Sequence, residues 1–488
     1  MRAGQAGRRC HAVLVITLLW GSLPAWAATA DGRFTSTSIV CAESPSAIER
    51  FVLDELDSAL ARLPQAKVEK PAVLRIVVGH SKTNKELRRL LAGTSRSEKR
   101  AEGYTLRFSD NTVLVAGADE RGTLYGVMDF IHYHLRKIWD GSVKTLQLSD
   151  APSLELRGIW SWGGRIYNYK KFFDQMARWK MNLAILWHLR APSDAIALQE
   201  YAASRGITIV WGYSWGWNTG LRWDDPENIA EVKRKILEAF EKEYAPLKPF
   251  GIYFQSETEG GAATGQGAKF IDLVNGTADR ILRKHPDVWI SCGVHFSSFL
   301  QTWDMLKAID PRLNIMYEDI PGMPFAYRAG VVNPNTVGVC RQLVSLRDKQ
   351  EDVGFVFKGF HNNPGHGDPQ LIEDEAALRQ LGIERPLDPG NEAGWRNNLN
   401  LALDVLKSMV ASPAKRKAVT LLMEDGLWEI RPWFPVCLAA EAMWNPNRIA
   451  ETLIASLDSC DQVHFVSSTA AARNASPVDV GAGRAERP

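Results

Sequence analysis

The 488-residue sequence has little of what marks several classes of protein. Its formal net charge is only +2, so no bulk attraction to nucleic acid or to a membrane surface is expected. None of its six cysteines lies in a C-x-x-C pattern, which excludes the common zinc and dithiol redox motifs. Beyond the N-terminal region, no apolar run is long enough to cross a bilayer. We therefore expect a globular protein with no nucleic-acid partner, no cofactor and no membrane insertion.

The first 27 residues are predicted to be a secretory signal peptide. Arg2, Arg8 and Arg9 precede the apolar run AVLVITLLW, which is too short to span a membrane. The following Ala-Trp-Ala at 25–27 fits a small-x-small cleavage site. We expect a mature chain that starts at Ala28 and is secreted or periplasmic.

Five cysteines remain when Cys10 leaves with the signal. Their odd number and wide spacing are typical of buried small apolar residues, although one disulfide stays open. These residues are Cys41, Cys292, Cys340, Cys437 and Cys460.

Tryptophan, in contrast, is abundant, with 17 residues. Its flat apolar face and single N–H donor suit stacking against a sugar ring. The competing interpretation of any one tryptophan is an ordinary place in the core.

Residues 31–150 are predicted to form a small α/β domain without a catalytic cluster. SAIERFVLDELDSALARL has helical spacing and Ser46 as a possible N-cap, and AVLRIVVGH is a buried strand. GYTLRFSDNTVLVAGA predicts two strands around a turn at 109–111, and ERGTLYGVMDFIHYHLRKI predicts a second helix.

The chain from 151 to 430 alternates between strand and helix patterns. Eight such alternations in roughly 270 residues are typical of a (β/α)8 TIM barrel, so the fold class is α/β. We expect a helical segment at 431–466 and a disordered tail at 467–488, which is poor in apolar residues. The predicted strands are RGIWSW, LAILWH, ITIVWGYSW, GIYFQSE, VWISCGVHF, LNIMYED, VGFVFKGF and AVTLLMED.

Polar and aromatic residues gather at the last positions of these strands, where a barrel carries its chemistry. The opposite strand ends are mostly apolar, which makes this the most specific signal in the sequence. The candidate site residues are Trp160, Trp162, His188, Tyr213, Trp215, Trp217, Gln255, Glu257, Glu259, His295, Glu318, Asp319, Lys358, His361 and Glu424.

Period-two alternation indicates which of these side chains face the barrel interior. On GIYFQSETEGG it places Tyr253, Gln255, Glu257 and Glu259 on one face, with Ile252, Phe254 and Ser256 on the other. It favours Glu318 over Asp319 and Glu424 over the following aspartate. Paired carboxylates that face a sugar are the chemistry of glycoside cleavage, in which one protonates the leaving oxygen and the other attacks or activates water.

The histidines at strand ends have competing interpretations. His188, His295 and His361 could bind hydroxyl groups or a substrate carboxylate, or they could be structural. No local histidine pair with metal-ligand spacing occurs, and HNNPGHGD is the loop where a metal site would be sought. We predict no metal.

Short motifs resemble those of β-N-acetylhexosaminidases and α-glucuronidases. VAGADERGTLYGVMDFI resembles the end of the small domain before their barrel, and LELRGIWSWGG is placed as the barrel's start. GIYFQSETEGG resembles the α-glucuronidase strand that carries the proton donor, which implies that role for Glu259 with Glu257 as neighbour. The hexosaminidase Asp-Glu pair after His-x-Gly-Gly is absent, which argues against the substrate-assisted mechanism.

The resemblance breaks at the catalytic base. EDIPGMPF and FKGFHNN do not present the α-glucuronidase bases at matching places, and Glu318 or Asp319 could substitute. We therefore predict an exported, α-glucuronidase-like glycoside hydrolase of an oligo- or polysaccharide, with Glu259 or Glu257 as acid. The base or nucleophile would be Glu318, Asp319 or Glu424. The alternatives are a hexosaminidase-like hydrolase, a non-catalytic carbohydrate-binding protein, and a barrel whose acids pair with Arg165 and Arg190.

Overall fold

The fold has two parts, a five-stranded α/β layer and a closed barrel, in a computed structural model of the chain. The statements that follow concern the residues it describes. These are 33–64, 72–92, 98–255, 258, 265–295, 303–320, 335–347, 351–360, 389–423, 434–458 and 460.

The layer is a mixed sheet in the spatial order β1-β2-β4-β3-β5. Its first pairs are parallel, and β3 runs antiparallel to both of its neighbours. The turn between β3 and β4 places Asp110 and Asn111 in the left-handed region (φ 47° and 58°), which suits a tight hairpin. The strands are β1 (Ser36–Val40), β2 (Val73–His80), β3 (Tyr104–Ser109), β4 (Thr112–Gly117) and β5 (Leu146–Asp150).

Helices pack on this sheet much as the sequence predicts. Ser46 caps the first helix in a capping box, because its hydroxyl accepts from the Glu49 N–H while the Glu49 carboxylate accepts from the Ser46 N–H. The second predicted helix passes through a π-helical turn at Phe130–His134. The helices are α1 (Ala47–Leu60), α2 (Lys85–Leu91), α3 (Glu120–Asp129) and α4 (Leu135–Trp139).

The predicted (β/α)8 barrel is confirmed. Eight strands, each parallel to both neighbours, close into one ring. The strands are β6 (Leu156–Trp162), β7 (Leu183–Trp187), β8 (Thr208–Gly212), β9 (Gly251–Gln255), β10 (Trp289–His295), β11 (Asn314–Ile320), β12 (Asp352–Phe360) and β13 (Arg416–Met423).

Helices surround the ring and bury their apolar faces against it. Two further helices follow the last strand, within the range predicted to be helical. The helices after β6 are α5 (Tyr169–Arg178), α6 (Ala195–Ala203), α7 (Pro226–Ala239), α8 (Gly267–Lys284), α9 (Trp303–Ala308), α10 (Asn335–Ser345), α11 (Pro389–Ala411), α12 (Phe434–Trp444) and α13 (Ala450–Asp458). Among the described residues, no helix has both the length and the apolarity to cross a membrane.

Two apolar clusters separate the inside of the barrel from the outside. The larger cluster fills the space between strands and helices, and it contains Ile252, Ile315 and Phe355. A smaller cluster lies inside the ring, where Tyr253 and Met316 represent the same two strands β9 and β11 one residue further along. Neighbouring positions on a strand therefore enter different environments, as the pleat requires.

A buried ionic network joins the barrel to the α/β layer. The guanidinium of Arg157 on β6 is 1% exposed and donates to the carboxylate of Glu102, just before β3, at 2.7 Å. Arg121 and the Asn182 amide donate to the same carboxylate at 2.9 Å. Burial alone would raise the pKa of Glu102, but the charges of Arg157 and Arg121 more than offset this and lower it. Glu102 is therefore ionised and shared by both parts of the fold.

A second network fastens the C-terminal helices. Lys180, between α5 and β7, forms an ion pair with Glu441 of α12 at 2.7 Å, and both side chains are buried. Arg448 bridges Glu441 to Asp150 at the end of the layer, at 3.2 and 3.4 Å. Asp150 also accepts from the Trp444 indole at 2.9 Å. Helix α12 is thus held by barrel and layer together.

Removing one partner of the first network should destabilise the whole fold. Glu102→Gln leaves the buried guanidinium of Arg157 without its counter-charge, which typically costs about 3–5 kcal/mol. We expect a loss of this size in urea unfolding, while Glu43→Gln, which breaks an exposed pair with Lys85, should cost less than about 1 kcal/mol. Equal effects of the two variants would contradict the role assigned to the network.

A buried histidine should make stability depend on pH. Burial, with a smaller effect of Lys180, lowers the pKa of His132 to about 3, and its ring stacks on Trp179 at 4.6 Å. Below about pH 6.5 His132 binds a proton in the unfolded chain but stays neutral in the native state. The free energy of unfolding therefore falls by about 1.4 kcal/mol for each pH unit. In urea unfolding, His132→Phe should show a shallower loss than the wild type between pH 6.5 and 5. At pH 8 the two proteins should differ by packing alone, and parallel pH profiles would contradict this assignment.

Candidate active site

The carboxyl-terminal strand ends of the barrel form the candidate site. Several predicted residues lie outside the described part of the chain, and for them the assignments stay predictions. These residues are Glu257, Glu259, His361 and Glu424. Asp319 is placed only as a backbone position of β11.

Tryptophans form one wall of the site. Trp160 and Trp162 at the end of β6 meet edge to face, with ring centroids 5.2 Å apart. Trp187 at the end of β7 contacts both, and Trp217 packs on Trp162 and Trp187 at 5.9 and 6.0 Å. Tyr253 of β9 closes the cluster against Trp160 at 5.8 Å. Strands β6, β7 and β9 and one loop thus build a continuous aromatic surface inside the ring.

A carboxylate lies on the opposite strands. Glu318 of β11 is 8% exposed, and one of its oxygens accepts a hydrogen bond from the Gln255 amide of β9 at 2.8 Å. Helix-side packing of Ile315 and Tyr317 puts Glu318 on the interior side, which matches the predicted alternation. The hydrogen bond from the Gln255 amide therefore orients the Glu318 carboxylate.

A glycine makes room for this arrangement. Gly293 of β10 lies between β9 and β11, and a Cβ atom built on it would stand 2.2 Å from the Tyr253 hydroxyl and 2.3 Å from the second Glu318 oxygen. Any larger residue would displace one of these groups. The Tyr253 hydroxyl and the Glu318 carboxylate therefore occupy the space that a side chain at position 293 would fill.

The Tyr253 hydroxyl is a buried polar group in need of a partner. It is fully buried and forms no hydrogen bond with any described residue, as is also true of the indole N–H groups of Trp160 and Trp187. Buried donors of this kind are normally satisfied by water or by a ligand. The interior wall therefore offers three donors beside the carboxylate.

His295 and Lys358 also lie at this end of the barrel. His295 of β10 pairs in register with Glu318 and is half-buried. Lys358 follows the interior residue Val356 by two positions on β12 and is likewise half-buried. Both stand at positions from which an interior side chain reaches the mouth.

Tyr213 and Trp215 are not part of this site. Strand β8 ends at Gly212, earlier than predicted, and the two aromatic side chains pack between strands and helices. Tyr213 is 3% exposed and stacks on Tyr244, while Trp215 is fully buried and stacks on Phe254 at 3.9 Å. The prediction that these two residues bind substrate is corrected, because neither has a free ring face to offer.

His188 also lies outside the barrel interior. Trp187 points inward, so the next residue turns toward the helices, where the His188 ring meets the Tyr169 hydroxyl at 2.8 Å. Burial lowers the pKa of His188, with a smaller opposing effect of Asp194. The imidazole therefore joins the loop after β7 to the start of α5 at the rim of the mouth.

Trp187 and Tyr253 belong to the site but are absent from the candidate residues. The alternation places Tyr253 on the same face as Gln255, yet its aromatic side chain lies two residues before the predicted strand end. Trp187 lies one residue before His188, the final residue of its predicted strand. The space left by Gly293 has no sequence signature of its own.

This end of the barrel brings together a carboxylate, a primary amide, a phenol and several indoles. Such groups can hold a polar, ring-shaped ligand and place one carboxylate against it. In the part of the chain that the structure describes, no cluster of three or more histidine, cysteine or acidic residues is placed to hold a metal ion.

Comparisons with known proteins agree on the fold. No family model matches the chain. A β-hexosaminidase of Vibrio vulnificus is 30% identical over 90 residues, which are 18% of this chain and only 10% of that protein. The structure is similar to a β-hexosaminidase mutant of Streptomyces plicatus in complex with GlcNAc, with a TM-score of 0.50 and 14% identity over 88% of this chain and 90% of that one.

Another similar structure is a GH20 exo-β-N-acetylglucosaminidase from Vibrio harveyi. It has a TM-score of 0.49 and 11% identity, and the match covers 90% of this chain and 78% of that one. At 14% identity, the likeness to the Streptomyces plicatus structure shows a shared fold alone, and the activity must be inferred from the residues of this chain.

The space at Gly293 can be tested directly. Gly293→Ala should lower the free energy of unfolding by about 1–3 kcal/mol, because the new methyl group overlaps Tyr253 and Glu318. Adding Tyr253→Phe removes one of the two clashing oxygens and should recover part of the loss. Gly338→Ala on α10, where a Cβ meets nothing within 4 Å, is the control and should be neutral or stabilising. If Gly293→Ala is as stable as the wild type, the packing described above is wrong.

Proposed function

We propose that the protein is a glycoside hydrolase that acts through carboxylates at the mouth of its barrel. The observation that carries the proposal is Glu318, a nearly buried carboxylate directed by Gln255 and faced by an aromatic wall. A carboxylate in this setting can act as base or nucleophile, or can stabilise positive charge at a sugar's anomeric carbon.

The aromatic wall supplies the sugar-binding half of the proposal. Trp162 and Trp217 are only half-buried, so each retains surface for a pyranose ring. Trp160, Trp187 and Tyr253 lie buried behind these two rings, and their donors, which have no partner among the described residues, suit water or a sugar oxygen that enters the site. Aromatic faces and directed donors together are what a saccharide, both apolar and hydroxylated, requires.

Two substrate classes are considered for this hydrolase, α-glucuronides and β-N-acetylhexosaminides. The sequence resemblance favours an α-glucuronidase, whereas the similar proteins are β-hexosaminidases, and this supports a β-N-acetylhexosaminide as substrate more strongly. The hexosaminidase Asp-Glu pair is absent from the sequence, so we propose a hexosaminidase-like hydrolase with its own arrangement of acid and base. On the signal sequence alone, we also propose that it is exported.

Within this proposal Glu259 or Glu257 is the proton donor. Both follow the strand that positions Tyr253 and Gln255, which is where the sequence alternation directs acidic side chains toward the same hollow. Glu318 is the proposed base or nucleophile. Asp319 and Glu424 remain the alternatives for that role.

Replacement of Glu318 by glutamine tests the proposal. Purified protein is assayed with p-nitrophenyl β-N-acetylglucosaminide, β-N-acetylgalactosaminide and α-glucuronide. We expect turnover of one of the hexosaminides, and Glu318→Gln should lower kcat about 10²–10⁴-fold, because the shape is kept while the charge is lost. The control Glu55→Gln removes a carboxylate that binds Arg178 far from the mouth, and its kcat should match the wild type.

Three outcomes discriminate between the readings. Turnover of the glucuronide alone would restore the α-glucuronidase reading. Sugar binding by calorimetry without turnover of any substrate would identify a non-catalytic carbohydrate-binding protein. An active Glu318→Gln enzyme would remove Glu318 from the mechanism and leave Asp319 and Glu424 to be tested in the same way.

A further inference from the structure

Two neighbouring loops at the rim of the mouth expose large apolar side chains. Tyr167, in the loop after β6, is 79% exposed, and Leu189, in the loop after β7, is 80% exposed. Strands β6 and β7 are paired as far as Trp162 and Trp187, so the two loops leave the barrel side by side. The loops continue the aromatic wall outward, because each begins directly after one of its tryptophans.

The same loops carry arginines that have no acidic partner. Arg165 and Arg190 are exposed, and in the described part of the chain neither forms an ion pair or a side-chain hydrogen bond. Other charges of the two loop regions are Lys170 and Lys171 at the start of α5 and Asp194 before α6. The rim is therefore basic, although the protein as a whole is nearly neutral.

Internal contacts hold these loops in place. The Tyr169 hydroxyl bridges the Gly163 carbonyl, at 3.1 Å, and the His188 ring, at 2.8 Å. Gly163 is closely approached by that ring, since a Cβ there would lie 1.9 Å from its Nε2 atom. On the far side, the Ala191 N–H donates to the Glu243 carboxylate at 3.1 Å. The exposed side chains thus project from an ordered base.

Tyr167 is not used to stabilise the helix that follows it. Asn168 caps α5 by accepting from the Lys171 N–H at 3.1 Å, so Tyr167 holds the position that often packs against the fourth helical residue. That residue, Phe172, is fully buried without it. Tyr167 and Leu189 thus leave apolar surface exposed on two adjacent loops that continue the aromatic wall.

We propose that this rim, defined by Arg165, Tyr167, Leu189 and Arg190, binds the part of a glycan that extends beyond the sugar in the barrel mouth, and that this part is anionic. The inference rests on the proposed glycoside hydrolase function. Tyrosine and leucine offer apolar surface to a pyranose face, and arginine forms two-pronged hydrogen bonds with carboxylate or sulfate. Two unpaired arginines on adjacent loops therefore select a glycan that carries one of these groups.

Direct binding to the full-length Glu318→Gln protein tests the inference without turnover. Three hexasaccharides are compared by calorimetry: neutral chitohexaose, a carboxylated oligogalacturonide and a sulfated heparin fragment. We expect at least one anionic probe to bind more tightly than chitohexaose and to weaken with added salt. Arg165→Ala with Arg190→Ala should reduce its affinity about tenfold, the equivalent of two weak charge contacts.

Matched variants separate the two components of the rim. Tyr167→Ala with Leu189→Ala should weaken neutral and anionic probes alike, because stacking ignores charge. Arg62→Ala, an exposed arginine of the α/β layer, is the control and should change neither affinity. Carboxylated and sulfated probes decide which anion is preferred, and either preference supports the inference.

Two results would overturn the inference. The first is equal affinity for neutral and anionic probes with no effect of the double arginine variant. The second is a wild type that elutes as a dimer in size-exclusion chromatography while the rim variants elute as monomers. This result would make the rim a contact between copies of the chain. Anionic binding without turnover of any aryl glycoside by the wild type would sink the hydrolase proposal and leave the rim intact.

Discussion

A closed ring of parallel strands allows each side chain only two directions, into the ring or toward the helices. This constraint decides which residues can take part in chemistry. It puts Gln255 and Glu318 together on the inner side of the ring and sends Phe254, between Tyr253 and Gln255 on β9, into the packing between strands and helices. The interior positions are few, so a single glycine such as Gly293 determines how closely two functional groups approach each other.

The α/β layer contributes rigidity to this ring, and none of its described residues lies at the site. Arg157 stands near the start of the first barrel strand, before Trp160 and Trp162, and its charge is satisfied from the layer by Glu102. The aromatic wall therefore begins on a strand whose lower end is fixed by a buried ion pair. Rigid support of this kind is what holds functional side chains at defined distances.

Most of the barrel could be predicted from the sequence, because eight apolar runs of strand length are visible without any structure. The short helix α2 and the edge strand β5 were not predicted, since seven and five residues leave too little periodicity to detect. The site was harder. Tyr213 and Trp215 extend an apolar run beyond the point where β8 ends. The sequence pattern therefore predicts a longer strand and places these two residues at its end, although they lie outside it. Contacts such as that of Glu318 with Gln255 join residues 63 positions apart and depend on barrel closure, which no local pattern reports.

The shared carboxylate of Glu102 has a consequence for how such proteins can be rearranged. Its partners Arg121, Arg157 and Asn182 come from both sides of the boundary near residue 151, so a cut there separates a buried charge from its counter-charge. Recombination that transplants the barrel alone would carry an orphaned guanidinium into its new host. The α/β layer and the barrel should therefore be inherited together in evolution. Gene fusions that preserve function would keep both parts as one module.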